Sequence, residues 1–241
     1  ETKVVTASRV PQTISRSPAT VYVITGDDIK AMGALTLWDA LRTVPGVDVA
    51  SARTGHGAVS IRGLNGPLNN RTLVLLDGKN VLISFFDFAL WEAIPVTLEE
   101  IDRIEIVEGP ASALYGANAT NGVINIITKT PERIKGGQIR YTGGERDTII
   151  GSALYGDQRG PVGYKLSVGF DSFNRFDDAR QNASKVRKIS SQLDYDLSED
   201  TKFMVSAAGS NAETDLSIGN TCLAIGKGPS TFLSAAAEHK S

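Results

Sequence analysis

The sequence predicts two regions with different folds, an α+β domain over residues 21–131 and an antiparallel β-sheet region over residues 132–241. Helical and strand patterns are mixed before Pro131, whereas almost every pattern after it alternates with the two-residue period of a strand. The second region also alternates short and long connections, which is typical of β-barrels that cross a membrane. A soluble β-sandwich has strands that alternate in the same way, so periodicity alone leaves both architectures open.

The first region opens with a strand at Val21–Ile24 and continues into two helices. Thr25 and the acidic residues that follow it form a capping stretch for a helix over Ile29–Met32. A second helix is expected from Thr36, because apolar residues recur at helical spacing until Pro45 stops it. Four segments rich in β-branched residues then predict strands between turn residues, namely Val59–Arg62, Thr72–Leu76, Ile101–Val107 and Val123–Thr128.

The second region is expected to contain six strands. The clearest runs over Val162–Phe170, where apolar residues alternate with Gly163, Lys165, Ser167 and Gly169. The other expected strands are residues 138–142, 148–155, 189–197, 203–208 and 231–237.

Loop lengths are the second signal in this region. Gly156–Pro161 and Ser198–Asp200 are short, whereas Asp171–Val186 and Ser210–Ser230 are predicted to be long polar loops. The single cysteine, Cys222, falls in the second long loop. In a transmembrane barrel the short turns face the periplasm and the long loops face outward.

Composition and motifs exclude several classes of protein. The 241 residues carry 25 Lys and Arg against 27 Asp and Glu, and without a long basic run this balance argues against a nucleic-acid binder. With two histidines and one cysteine, a zinc site of the Cys/His type would need nearly every candidate ligand at once, which argues against a zinc protein. No phosphate-binding loop, serine-hydrolase elbow or zinc-protease motif is present, so we expect no enzyme, no resident metal and no cofactor.

Four motifs in this order closely resemble the plug domain of TonB-dependent outer-membrane receptors. They are Val59–Gly63, Leu73–Gly78, Ile101–Gly116 and Asn121–Lys129. The resemblance covers about residues 1–131, and the strands after it stand where the family's barrel begins. It implies an α+β plug domain inside a transmembrane antiparallel β-barrel of the bacterial outer membrane, in contact with lipid and lipopolysaccharide.

Residues 1–20 are assigned by the resemblance to a TonB box and linker. The residues that resemble the box are Glu1, Thr2, Lys3, Val4, Val5, Thr6 and Ala7. A short β-prone segment of this kind can add a strand to the sheet edge of a partner, and the family implies that the partner is the periplasmic C-terminal domain of TonB. The alternative is a frayed terminus.

The resemblance also implies a plug–barrel lock, in which plug arginines pair with glutamates of the barrel wall. The plug residues assigned to it are Arg62, Arg103, Glu105 and Glu108. A buried guanidinium needs a carboxylate partner because an unpaired buried charge is costly. Solvated surface arginines are the alternative, and the expected barrel glutamates do not lie in the readable strands.

Plug loops of this family help to line the ligand pocket. The matching residues here are Arg53, His56, Asn65, Phe85, Phe86, Phe88 and Trp91. The aromatic group is able to stack on an aromatic or metal-chelate ligand, although packing of the plug against the barrel is the commoner role of such residues.

The function implied is TonB-dependent, ligand-gated import across the outer membrane, with a ferric siderophore as the default ligand. The alternative is a structural scaffold without transport, which should tolerate deletion of residues 1–7. A plugged transporter barrel has about 22 strands, so six strands predict an incomplete barrel and a truncated or partly traced chain.

Overall fold

The structure is a computed structural model that describes residues 3–8, 12–16, 19–53, 55–63, 71–82, 87–145, 147–174, 182–198, 201–218 and 221–239. The chain divides into two compact units. Unit 1 comprises Glu1–Ala52, His56–Glu92 and Ile101–Thr128, and unit 2 comprises Arg53–Gly55, Ala93–Glu100 and Lys129–Ser241. No helix among the described residues is both long and apolar enough to cross a bilayer.

The strands up to residue 128 are β1 Lys3–Val4, β2 Gln12–Thr13, β3 Thr20–Thr25, β4 Val47–Arg53, β5 His56–Ile61, β6 Thr72–Leu76, β7 Lys79–Asn80, β8 Ile101–Glu108 and β9 Gly122–Thr128. The later strands are β10 Gly136–Gly144, β11 Thr148–Arg159, β12 Val162–Asn174, β13 Asn182–Asp196, β14 Thr201–Ile218 and β15 Thr221–His239. The α-helices are α1 Gly26–Ala31, α2 Leu37–Leu41 and α3 Ser112–Tyr115. Single turns of 3-10 helix lie at Ile14–Arg16, Trp91–Ala93, Leu98–Glu100, Ala117–Ala119 and Pro131–Arg133.

Unit 1 is built on a five-stranded sheet with the strand order β3-β8-β9-β6-β7. Strands β6 and β9 are parallel, and the other pairs whose register is described are antiparallel. Ile104, Ile106, Ile124 and Ile126 in the central strands β8 and β9 are completely buried. Their burial contributes hydrophobic stabilisation to the centre of the unit.

Both predicted helices are confirmed, and each begins with a capping box. Thr25 accepts a hydrogen bond from the Asp28 amide at 3.1 Å, and the Asp28 carboxylate accepts one from the Thr25 amide at 2.9 Å. Thr36 and Asp39 repeat this exchange at the start of α2. Helix α1 starts at Gly26, earlier than predicted, where a Cβ atom would lie 2.4 Å from the Ile101 carbonyl oxygen.

The six expected strands of the second region are confirmed as one antiparallel sheet in the order β10 to β15. Its burial pattern is the reverse of that in a soluble sandwich. In β12, Lys165 and Ser167 are only 5% and 1% exposed, whereas Leu166 and Val168 are 49% and 42% exposed. A sheet that buries its polar face and exposes its apolar face suits a lipid environment, so this observation favours the barrel over the sandwich.

The two long polar loops were predicted wrongly, because strand structure extends into both. Strand β12 continues to Asn174 and β13 begins at Asn182. Strand β14 continues to Ile218, and Cys222 lies in β15 rather than in a loop. Main-chain hydrogen bonds hold neighbouring strands together, so a strand can continue through a polar sequence that lacks alternating apolar residues.

Candidate functional site

The segment assigned to the TonB box is docked in unit 1. Strand β1 pairs Lys3 with Thr13 and Val4 with Gln12. Val4, Thr6 and Ala7 are 0%, 1% and 6% exposed, which is not the environment of a frayed terminus. Glu1 and Thr2 lie outside the described residues.

One carboxylate oxygen, Glu105 Oε2, binds this segment. It accepts hydrogen bonds from the amides of Val5 and Thr6, each at 2.9 Å, and from the Thr6 hydroxyl at 2.6 Å. The side chain of Glu105 is completely buried. Hydrogen bonds to an ionised acceptor are about twice as strong as those between neutral groups, so a single side chain fixes the middle of the segment. We call this cluster the Glu105 latch.

Three other residues complete the latch. Arg103 donates from Nε to Glu105 Oε1 at 2.9 Å. Asn125 donates from Nδ2 to Thr6 Oγ1 at 3.1 Å, and the Tyr115 hydroxyl donates to the Thr6 carbonyl oxygen at 2.8 Å. The buried carboxylate is thus neutralised by a guanidinium, which offsets the cost of removing its charge from water.

Strand pairing explains why these groups meet. Arg103 and Glu105 are two residues apart in β8 and therefore project from the same face. Asn125 lies directly opposite Glu105 in the neighbouring strand β9. The sheet therefore presents an acceptor and an amide donor side by side beneath Thr6.

The electrostatics of the latch favour the ionised carboxylate. Burial raises the pKa of Glu105, but hydrogen bonds from Thr6, Val5 and Arg103 outweigh burial and hold this pKa below its ordinary value of 4.5. Because two of these donors belong to the docked segment, docking and ionisation of Glu105 support each other.

The arginines of the expected plug–barrel lock have partners within unit 1. Arg103 Nη1 lies 2.9 Å from Asp102 Oδ2, in addition to its bond with Glu105. The side chain of Arg62 is 56% exposed, and its Nε lies 3.8 Å from Glu108 Oε2. The role of these residues in a plug–barrel lock stays a prediction.

The predicted ligand residues fall into two groups. Phe88 and Trp91 are buried, and His56 Nδ1 lies 2.7 Å from Glu92 Oε1. The side chain of Arg53 is not described, and Asn65, Phe85 and Phe86 lie outside the described residues. Over the described part of the chain, no cluster of His, Cys, Asp and Glu is suited to hold a metal ion.

Sequence reasoning missed Tyr115 and Asn125 as partners of the docked segment. Both lie far from Thr6 along the chain, by 109 and 119 residues. The one available signal was the position of a polar Asn125 within the otherwise apolar strand Val123–Ile127, since a buried amide needs a partner.

Comparison with known proteins identifies the family. The TonB-dependent receptor plug domain matches residues 13–123. An iron-regulated outer membrane virulence protein of Vibrio cholerae is 30% identical over 246 residues, which covers 94% of this chain and 36% of the relative. The vitamin B12 transporter BtuB of Vibrio vulnificus is 38% identical over 182 residues, which covers 73% of this chain and 29% of the transporter. The chain thus spans about a third of the length of these relatives.

Solved structures of receptors share the fold. The siderophore receptor PirA from Pseudomonas aeruginosa is 27% identical, with a TM-score of 0.60 over 82% of this chain and 34% of that receptor. The pyoverdine outer membrane receptor FpvA from Pseudomonas aeruginosa is 21% identical, with a TM-score of 0.72 over 88% of this chain and 30% of that receptor. The second likeness concerns the fold alone.

These relatives are named as an outer membrane protein, a transporter and receptors, not as enzymes, and the outer membrane is the location of this chain. The motifs of unit 1 and the inverted burial of the six-stranded sheet agree with that location. The chain belongs to the TonB-dependent outer-membrane receptors and carries their plug domain together with six strands of the barrel.

Proposed function

We propose that the chain is part of an importer that moves a metal chelate across the outer membrane with energy supplied through TonB. The observation that carries this proposal is the docking of Val5 and Thr6 on Glu105, within a plug of this family. The segment is bound mainly through its main chain. It is therefore able to exchange Glu105 for the sheet edge of a partner without a demand for particular side chains.

The proposed partner is the periplasmic C-terminal domain of TonB. Lys3 and Val4 already form strand β1 and pair with β2 in the docked state. Residues 5–8 form a bend and a turn, so this part of the segment must extend before it can add to the sheet of a partner. Transfer to TonB requires that the bonds of the Val5 and Thr6 amides to Glu105 break first. The free energy of these bonds therefore opposes the binding of the segment to TonB.

The proposed ligand is a ferric siderophore or a similar metal chelate. The relatives support this class through their names, because PirA is a siderophore receptor and BtuB is a vitamin B12 transporter. Arg53, His56, Asn65 and the aromatic residues Phe85 and Phe86 are the proposed contacts in the plug. The scaffold alternative gains no support from these relatives.

The TonB-box assignment is tested by Val5→Pro, with Val5→Ala as the matched control. Proline removes the amide that donates to Glu105 and that a strand partner needs, whereas alanine keeps it. We expect Val5→Pro to abolish ligand uptake by cells while ligand binding to the receptor stays intact. Normal uptake by the proline variant would overturn the assignment.

Ligand class is tested by uptake in a strain that lacks the chromosomal receptor. Cells that express the receptor are supplied in turn with ferric siderophores, haem, cobalamin and oligosaccharides. We expect uptake of a ferric siderophore. Uptake of an oligosaccharide alone would contradict the metal-chelate class. In that case, oligosaccharide uptake by the Val5→Pro and Val5→Ala variants would still test coupling to TonB.

A further inference from the structure

A short segment of the chain, Ala93–Glu100, belongs to unit 2 although the residues on either side of it belong to unit 1. We call it the anchor segment. It contains a turn of 3-10 helix at Leu98–Glu100, and its polar groups bind the six-stranded sheet. The motifs of the plug do not single it out, and it plays no part in the Glu105 latch.

The centre of the anchor is a buried ion pair. Lys165 Nζ in β12 lies 3.4 Å from Glu100 Oε1, and each side chain is only 3% exposed. Ser190 in β13 donates to the same oxygen at 2.5 Å. Lys165 also donates to the Lys129 carbonyl oxygen at 2.9 Å. Separation of a buried pair leaves two uncompensated charges, so this contact resists opening.

A second acidic residue binds the two strands that precede β12 in the sheet. Glu99 accepts from Arg140 Nη1 in β10 at 3.2 Å and from Ser152 Oγ in β11 at 2.5 Å. Lys129 Nζ donates to the Glu99 carbonyl oxygen at 2.8 Å. Glu99 thus binds strands β10 and β11, whereas Glu100 binds strands β12 and β13.

The uncharged part of the segment adds two contacts. The hydroxyl oxygens of Thr97 and Ser167 lie 2.9 Å apart, and Ser210 in β14 donates to the Ala93 carbonyl oxygen at 2.5 Å. Gly169 permits this approach, because a Cβ atom there would lie 2.8 Å from Thr97 Cγ2. Five consecutive strands, β10 to β14, therefore bind eight residues of chain.

The two attachments differ in kind. The N-terminal segment depends on one carboxylate and on donors that are neutral amides and hydroxyls. The anchor segment depends on two carboxylates, each with a cationic partner on a separate strand. Release of the N-terminal segment breaks bonds to a single carboxylate, whereas removal of the anchor segment separates two ion pairs, of which the Lys165–Glu100 pair is buried.

We infer that the anchor segment stays on the sheet throughout transport, so that Glu99 and Glu100 retain this part of the plug while TonB displaces residues that precede it. This inference rests on the proposed function. Glu99, Glu100, Arg140 and Lys165 are positioning residues in it, since none of them needs to touch the ligand.

The test compares two disulfides in the full receptor, in a Cys222→Ser background. The first joins Thr97→Cys to Ser167→Cys. The hydroxyl oxygens of Thr97 and Ser167 lie 2.9 Å apart, so the two sulfurs that replace them can reach the ~2.05 Å of a disulfide with a small adjustment. The second joins Thr6→Cys to Asn125→Cys and tethers the N-terminal segment to β9. In the unsubstituted protein, Asn125 Nδ2 lies 3.1 Å from Thr6 Oγ1. Uptake of a ferric siderophore is measured before and after reduction.

We expect uptake to be equal in the oxidised and reduced forms of the 97–167 variant, because the anchor does not move. We expect the 6–125 disulfide to block uptake until it is reduced. Loss of uptake through the 97–167 disulfide, with recovery on reduction, would overturn the anchor. Uptake through the intact 6–125 disulfide would overturn the proposed coupling instead, so the two failures are distinguishable.

A second measurement does not depend on disulfide formation. The variants Thr97→Cys and Thr6→Cys, each in the Cys222→Ser background and each at a position that is buried in the resting protein, are treated with a maleimide during active transport. We expect the Thr97→Cys variant to stay unreactive and the Thr6→Cys variant to become reactive when ligand is added. Ligand-dependent labelling at position 97 would show that the segment leaves the sheet.

Discussion

Glu105 holds the N-terminal segment in the docked position, because one oxygen of its carboxylate accepts both the Val5 and the Thr6 amide. Hydrogen bonds to charged groups contribute about 1.5–3 kcal/mol each. Loss of the charge at this position should therefore shift the equilibrium between docked and free segment strongly toward the free form.

We predict that Glu105→Gln increases the affinity of the ligand-free receptor for the C-terminal domain of TonB. A loss of about 2 kcal/mol in docking corresponds to a roughly thirtyfold tighter Kd, measured by calorimetry. Asp102→Asn is the matched control, because it removes one ion pair of Arg103 and leaves the carboxylate of Glu105 in place. Equal effects of the two variants would show that the Arg103 ion pairs, not the direct contacts, hold the segment.

The latch should also respond to pH. Because docking lowers the pKa of Glu105 below 4.5, the carboxylate stabilises the docked segment fully above about pH 4.5, and this stabilisation is lost as the pH falls through the lowered pKa. A spin label at Val5→Cys in a Cys222→Ser background should become mobile only in that acidic range. In Glu105→Gln the label should be mobile at neutral pH, and an unchanged acid transition in that variant would assign the effect to another group.

The sequence was sufficient to place Arg103 and Glu105 on one face of a strand, because alternation is a local property. It was not sufficient to show what Glu105 binds. Its partner Val5 lies 100 residues earlier in the chain, and alternation assigns a face without naming the group opposite that face.

At the scale of elements, local chemistry predicted the helix starts. Thr25 caps α1 through a reciprocal exchange with Asp28, and the motif was readable because all of its atoms lie within four residues. Strand ends were less predictable. In β12 to β15 the backbone ladder continues into polar sequence, and no side-chain pattern marks where main-chain pairing stops.

We predict that Thr25→Ala weakens α1 by about 1 kcal/mol, because the helix loses its N-cap oxygen. Hydrogen exchange of the Asp28 amide, which donates to that oxygen at 3.1 Å, should report the change in the receptor. Asp27→Ala, an exposed change in the same turn, should alter exchange much less. Equal acceleration in both variants would argue against the capping bond.

The exposed apolar face of the sheet supports a prediction about membrane stability. Leu166 in β12 is 49% exposed and is expected to face lipid, where an arginine costs about 2–4 kcal/mol near the bilayer midplane. Leu166→Arg should lower the free energy of unfolding in phospholipid vesicles by about that amount, measured by denaturant titration. A loss no larger than that of Leu166→Ala would mean that this face does not contact lipid.

At the scale of the whole molecule, the motifs predicted a plug followed by barrel strands, and the family match and the two compact units agree with that order. The attachment of Ala93–Glu100 to the strand sheet was not predictable. In the sequence, Glu99 and Glu100 resemble solvent-exposed acidic residues that precede β8. Their ion pairs with Arg140 and Lys165 are visible only in the three-dimensional structure.

The central claim is that the N-terminal segment leaves Glu105 to bind TonB when ligand is present. The most direct measurement places a photo-crosslinking residue at Lys3 of the receptor in living cells and detects adducts with TonB. The wild-type receptor should give the adduct only with ligand, and the Glu105→Gln receptor should give it with and without ligand. Active uptake of ligand by the labelled receptor without any TonB adduct would contradict the claim.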